Sequence, residues 1–312
     1  MPRLTLLLAT LAALAAPATA AAADTTVAPD PNAQEATALS GTIVWVTDAP
    51  GGRQVLMQQT AQGIRPVTGA PPAAFYRSID LGRDTRGQLV LTYMRCASPA
   101  RCVVRRDDLA GHRAGVRGLT IRGCSLSTAP AIWRSRSAYG LSCRRGRTYD
   151  ARRSGLYVKR RGAAPKRLPR PRDATRYGAT SVTSADLRGT RAAAIVADIY
   201  AYAYSVGVNG KALRSALVAT SEGDSDARAR GLALGSGGDQ WSLTASEHAG
   251  DPPQTIVHRL LASCDEYEVM TSPPQDQRFP AIDVAVDGRT VYLVVPGTGI
   301  VRHDFVPQRR CS

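Results

Sequence analysis

FPAIDVAVDGRTVYLVVPGTGIVRHD, residues 279–304, reads as three short strands joined by two turns. An apolar-rich run at 281–286 carries one acid, Asp287-Gly288 interrupts, and a second apolar run follows at 290–295. Gly tolerates the positive φ that a two-residue hairpin turn demands, so Asp-Gly between two such runs predicts a tight antiparallel hairpin. PGTG at 296–299 marks the next turn and residues 300–304 a third strand.

Runs of the same kind recur along the chain. GTIVWV starts at Gly41, GQLVLTY at Gly87, SAYGLSC at Ser137, GTRAAAIV at Gly189, DQWSLTA at Asp239 and GRTVYLVV at Gly288, with spacings of 46 to 52 residues. Six units at a period near fifty predict a repeat architecture, and four-stranded propeller blades are the usual occupant of that period. In the second unit YRSIDLGRD, GQLVLTYMRC, CVVRRDDL and GVRGLTI supply the four strands. In the third the order is STAPAIWRS, SAYGLSC, SGLYVKRRG and PKRLP. The expected fold is all-β, a six-bladed β-propeller of four-stranded antiparallel blades, with a pair of β-sandwiches as the alternative. KALRSALVATSE is the most helix-like stretch after the N-terminus and is equally an outer strand.

Residues 279–304 resemble the YVTN-type and TolB-like β-propeller repeats, in which an inner strand, an Asp-Gly turn and a VYLV strand lead to a short hairpin. The resemblance covers this repeat well and the other units by pattern. It implies a fold, and no shared catalytic residues come with it.

The N-terminus, MPRLTLLLATLAALAAPATAAAAD, has one basic residue, an apolar run, a Pro and then an A-x-A pattern, so residues 1–23 read as a secretory signal peptide. Residues 24–40 read as a polar linker or closing strand, and residues 41–312 as the propeller. The first unit begins with its second strand and lacks an inner one, so the ring is expected to close with segments from both termini. Six cysteines suit an exported protein. Spacing favours Cys96–Cys102 and Cys124–Cys143, leaving Cys264–Cys311. No later apolar run is long enough to span a membrane.

Net charge is +15, and only three of the 40 basic residues are Lys. Such charge favours anionic partners at long range. Residues 143–172, CRRGRTYDARRSGLYVKRRGAAPKRLPRPR, set twelve basic residues against Asp150. Pro169 and Pro171 suit a sheet edge, and edge charges also block sheet-to-sheet association. The long loop before LYVKRRG asks for more than that. Arg144, Arg145, Arg147, Arg152 and Arg153 are expected together on one hairpin near Lys159, Arg160 and Arg161, as donors to phosphate, sulfate or carboxylate groups. Few aromatics interleave, so sequence-specific nucleic-acid reading is not expected.

Catalytic motifs are missing: there is no HExxH, no G-x-S-x-G and no CxxC pair. His112, His248, His258 and His303 fall in turns or hairpins. Glu222, Asp224 and Asp226 alternate as in a calcium loop, but the twelfth position is Ala233, so a solvated loop is expected. Tyr200, Tyr202 and Tyr204 share one strand face and are read as packing between blades. Asp80, Asp186 and Asp283 fall on inner strands, and Trp133 and Arg134 at the end of one, all placed at the mouth of the central channel. The expected function is an exported, monomeric binding or scaffold propeller without metal or cofactor. It would contact an anionic cell-envelope polymer or a partner protein through the basic hairpin. The alternative is an extracellular polysaccharide hydrolase or lyase working at the channel mouth.

Overall fold

The computed structural model describes residues 24–98, 101–114, 116, 118–176, 181–220, 225–248, 251–262, 264–272 and 278–308. The chain opens with β1 (Thr25–Pro29), then forms a sheet of β2 (Ala33–Leu39), β3 (Thr42–Ala49), β4 (Arg53–Thr60) and β5 (Gly63–Pro66). Next come β6 (Phe75–Arg83), β7 (Leu89–Ser98), β8 (Arg101–Asp107) and β9 (Arg113–Ala114). They are followed by β10 (Cys124–Leu126), β11 (Ala131–Trp133), β12 (Arg136–Arg145), β13 (Thr148–Tyr149), β14 (Gly155–Arg160), β15 (Lys166–Arg167) and one helical turn, α1 (Arg172–Arg176).

Two more antiparallel sheets hold β16 (Ser181–Arg188), β17 (Arg191–Ala197), β18 (Tyr200–Gly207) and β19 (Arg214–Thr220), and then β20 (Ser225–Leu234), β21 (Gln240–His248), β22 (Gln254–Leu260) and β23 (Asp265–Thr271). The last sheet, β24 (Asp283–Asp287), β25 (Thr290–Val295) and β26 (Gly299–His303), takes β1 as its fourth strand. Gly288 makes the hairpin turn between β24 and β25 at φ 66°. The helix-like stretch near Leu213 is strand β19.

Sheets lie around a ring. Inner strands β2, β6, β11, β16, β20 and β24 touch one another in that cyclic order, with β24 returning to β2. A strand covered on both faces is buried continuously where a half-exposed strand would alternate. Residues 42–47, 90–94, 192–196, 201–206 and 240–246 are buried without interruption, whereas β8 alternates and β5 is exposed throughout. The core is therefore a set of apolar seams between sheets. Leu156, Val158, Val182, Leu187, Tyr202 and Tyr204 fill one of them. Tyr202 and Tyr204 thus pack between sheets.

Three expectations need correction. Four sheets stand alone with four strands each, not six, because β6–β9 and β11–β15 belong to one ten-stranded sheet. The single parallel pair Trp133↔Arg83 joins its two halves. Of the two readings of residues 24–40 the linker fails and the closing strand holds: β1 completes the last sheet beside β26, and β2 is the inner strand that the first unit lacks in the sequence reading. Trp133 packs into the seams on both sides of it, away from the channel. The bridges Cys96–Cys102 and Cys124–Cys143 are present, each between directly paired residues of neighbouring strands. Residues 1–23 and Cys311 lie outside the described residues, and with Cys311 the expected third bridge.

Close strand approach has its own requirement. A Cβ on Gly82 in β6 would sit 1.8 Å from the Ile132 carbonyl oxygen on β11. Backbone cannot retreat there without opening the seam, so Gly82→Ala should cost about 2–3 kcal/mol, the upper range for overpacking. Chemical denaturation checks this, and an unchanged midpoint would show that the two strands are not held at this distance.

Candidate functional site

Inner strands enclose a central cavity of about 790 Å³. Four carboxylates line it: Glu35 on β2, Asp80 on β6, Asp186 on β16 and Asp283 on β24. Three of the four accept from the main chain of the next inner strand around the ring. Asp283 accepts from the Ala36 amide (2.8 Å), and Glu35 from the Ser78 and Ile79 amides (2.9 and 2.7 Å). Asp186 accepts from the Leu234 amide (2.6 Å), and the Ile132 amide exerts a lowering pull on the Asp80 carboxyl. Thr37 adds a neutral version of the same contact, accepting from the Leu81 amide at 3.0 Å.

Burial governs the ionisation of these groups. Glu35 keeps partial exposure at the mouth, yet the protein packed around its carboxyl pushes it up to about 7, against the pull of the Ile79 and Ser78 amides. Burial raises Asp80 well above the usual range, and the Asp186 charge adds to this while Arg188 opposes it. Asp186 is raised by burial, with Arg188 again opposing. Asp283 is raised by burial and by Glu35, while the Ala36 amide pulls it back. Asp80 Oδ2 is buried without a hydrogen-bond partner.

Arg188 shapes the cavity. It stands at the end of β16, and its Nη2 donates across the ring to the carbonyls of Ala38 (2.7 Å) and Val286 (2.8 Å), at the ends of β2 and β24. On that face the side chain spans the channel between two inner strands. At the other face, where inner strands begin, Ser125, Ser127, Ser142 and Ser181 line the cavity with Arg77, Arg228 and Arg230. The arrangement provides a polar cup of hydroxyls and guanidinium groups above a floor of carboxylates tied to backbone. Carboxylates so anchored hold strands, and no two of them stand free as an acid and base pair. Among the described residues no group of three or more His, Cys, Asp or Glu side chains is arranged to hold a metal ion.

The structure divides the basic cluster. The Cys124–Cys143 bridge and the register Arg145↔Thr148 set Gly146 and Arg147 at the tip of a two-residue turn, with Gly146 at φ 63°. Arg144, Arg145, Arg147 and Arg152 are exposed on this hairpin. No hydrogen bond or ion pair holds their guanidinium groups among the described residues. Asp150 is occupied by the backbone amides of Arg152 and Arg153. Arg153 itself is tied to the Arg122 carbonyl at 2.6 Å.

Lys159, Arg160 and Arg161 are not beside that hairpin, which corrects the sequence reading. Arg160 pairs with Arg136 and Gly155 with Leu141, so the three stand at the opposite end of β12, about 30 Å from Arg145 at strand rise. Arg134 is with them, beyond the end of β11, and so is not at the open mouth. Glu35 escapes the sequence reading because it sits in the polar stretch before Gly41. A signal for it exists, since Ala36 and Ala38 alternate with Glu35 and Thr37 as an inner strand does.

Solved structures share this architecture at low sequence identity. A protein of unknown function from Dyadobacter fermentans superposes with a TM-score of 0.51 and 12% identity, over 89% of this chain and 96% of that one. TolB from Acinetobacter baumannii gives 0.42 and 11%, over 73% of this chain and 53% of that one, so this chain spans about half of TolB's length. The WD40 β-propeller domain of Doa1 gives 0.45 and 10%, over 90% and 94%. In fold the chain is a β-propeller, with sheets stacked around a central channel. These likenesses concern the fold alone. No family model and no curated protein matches the sequence.

The raised carboxylates fix the sign of a pH effect. Between the ordinary value of 4.5 and about 7, folded Glu35 holds a proton that the unfolded chain has released. The stability it contributes is therefore whole below 4.5 and is lost as pH rises to about 7, by up to roughly 1.4 kcal/mol per pH unit for one proton. Asp80, Asp186 and Asp283 act in the same direction. Melting temperature should drop from about pH 5 to about pH 7, and Glu35→Gln should flatten the drop over that window. A variant with the parent's slope would rule Glu35 out as its source.

Proposed function

We propose that the protein is an exported binding propeller whose open face contacts an anionic polymer or an acidic partner surface through the hairpin of Arg144, Arg145, Arg147 and Arg152. Export is supported by the signal-like N-terminus and by two disulfides. No helix among the described residues is long and apolar enough to cross a membrane.

One observation carries the choice of surface. Ser142 lines the central cavity, and Arg144 and Arg145 leave the same strand two and three residues later. The unpaired guanidinium groups therefore rise beside a mouth already lined with hydroxyls and Arg77. Guanidinium forks suit phosphate, sulfate and carboxylate oxygens. A hydrolase or lyase reading finds less support, because three of the four channel carboxylates are engaged with backbone amides.

Fluorescence anisotropy with labelled linear polyphosphate tests this on the protein lacking residues 1–23. Reversal of Arg144, Arg145, Arg147 and Arg152 to Glu should abolish binding. Reversal of exposed Arg53, Arg65, Arg86 and Arg101 should weaken it only modestly. With four contacts on a densely charged polymer, a fourfold rise in salt should lower affinity on the order of a hundredfold. Equal losses in the two charge-reversed proteins would mean bulk attraction alone and would refute the hairpin as a site.

A further inference from the structure

A second cavity, of about 400 Å³, opens on the face where Arg188 spans the channel. Turns build it. The β6–β7 turn contributes Thr85, the β11–β12 turn Arg134 and Ser135, and the end of β14 Lys159 and Arg161, with Arg106 reaching in from β8. Four cations thus converge from two halves of the ten-stranded sheet.

Backbone bonds hold these turns together. The Arg134 amide donates to the Arg83 carbonyl at 2.6 Å, and the Arg161 amide to the Ser135 carbonyl at 2.8 Å. Arg106 is paired with Asp84 at 3.5 Å, and Lys159 Nζ donates to the Gly118 carbonyl at 2.5 Å. No ion pair among the described residues engages Arg134, Lys159 or Arg161. Positive charge is in excess here, and like charges held at close quarters repel unless an anion joins them.

Arg134 is also conformationally misplaced. It occupies the first of two turn positions between the paired residues Trp133 and Arg136, at φ 56°. Glycine is favoured at such a position, and a bulky residue held there carries backbone strain. Such strain tends to persist at binding and catalytic sites, where the side chain is needed. At this turn the side chain lines the cavity beside Arg161.

We propose that this cavity binds a tetrahedral oxyanion, phosphate or sulfate, clamped between Arg134 and Arg161 with Lys159 and Arg106 completing the charge. Hydroxyls of Ser135, Ser137 and Thr85 supply neutral donors around it. Guanidinium forks bind such an anion through paired N–H donors. The site is distinct from the hairpin, at the other end of β12, and stands or falls separately from it.

Isothermal titration of the protein lacking residues 1–23 with inorganic phosphate and with sulfate, against chloride at matched ionic strength, is the test. Saturable one-to-one binding is expected with at least one of the two anions. Arg161→Gln should weaken it about tenfold or more, the loss expected for one charge-assisted hydrogen-bonding partner. Arg134→Gly should weaken it similarly while leaving the melting temperature of the anion-free protein unchanged or higher, since it relieves the strained turn. Arg53→Gln with Arg65→Gln, exposed and outside both sites, should leave it within about twofold. Absence of saturable binding, or binding by the Arg134 and Arg161 variants equal to the parent's, would overturn the proposal. Neither result would bear on polyphosphate binding by the hairpin.

Discussion

Carboxylates bonded to the main chain of a neighbouring strand set the geometry of the ring. An inner strand is a sheet edge, and its amides on the channel side have no ladder partner. Glu35, Asp186 and Asp283 answer three of these seams by accepting from the next strand. Apolar burial between sheets is non-directional and tolerates sliding. A carboxylate aimed at one amide does not, so these contacts fix how far each sheet is displaced along its neighbour. Enclosing four acids is costly unless they are hydrogen-bonded or take up protons, and both happen here. The far end of the channel follows from the same logic, with Arg188 bringing positive charge near Asp80 and Asp186 while using the Ala38 and Val286 carbonyls.

Seams differ in how they are made, which explains why the repeats look so unlike one another. At β20 and β24 a Cβ on Gly231 would collide with Asp283 Oδ1 and the Val284 amide, so the seam is held by close backbone approach. At β6 and β11 Gly82 permits the approach, and the parallel pair Trp133↔Arg83 joins the backbones. At β2 and β6 a glutamate and a threonine share the role. Each solution satisfies the same need with different residues, so selection for a closed ring leaves a period in the sequence without leaving identity.

This is also why the fold is partly legible in the sequence. Second strands such as GTIVWV and GTRAAAIV announce themselves because burial on both faces makes them continuously apolar. Inner strands are harder to read. They face a polar channel, so β2 reads as AQEATAL and resembles a linker. Asp80, Asp186 and Asp283 are visible as acids preceding Leu or Val on inner strands, but the bonding of Asp186 and Asp283 to the following sheet depends on ring closure, which no local pattern encodes. The basic stretch shows the opposite failure. Adjacency in sequence suggests one cluster, whereas β14 carries the chain the length of the sheet between Arg153 and Arg160 and delivers the charges to opposite faces.

That separation has a consequence for how a protein of net charge +15 can use its charge. The open face offers arginines at a wide, hydroxyl-lined mouth, which suits an extended polymer able to touch several of them at once. The opposite face offers a cleft framed by turns, which suits a compact anion. Arg188 spans the channel between the two, and the cavities share no lining side chain. Long-range attraction from the whole surface raises the local concentration of any anion, but that field is screened within about 8–10 Å at physiological salt. Within contact distance only short-range geometry distinguishes the faces: an array of exposed guanidinium groups on one, and on the other a strained turn that fixes Arg134 next to Arg161.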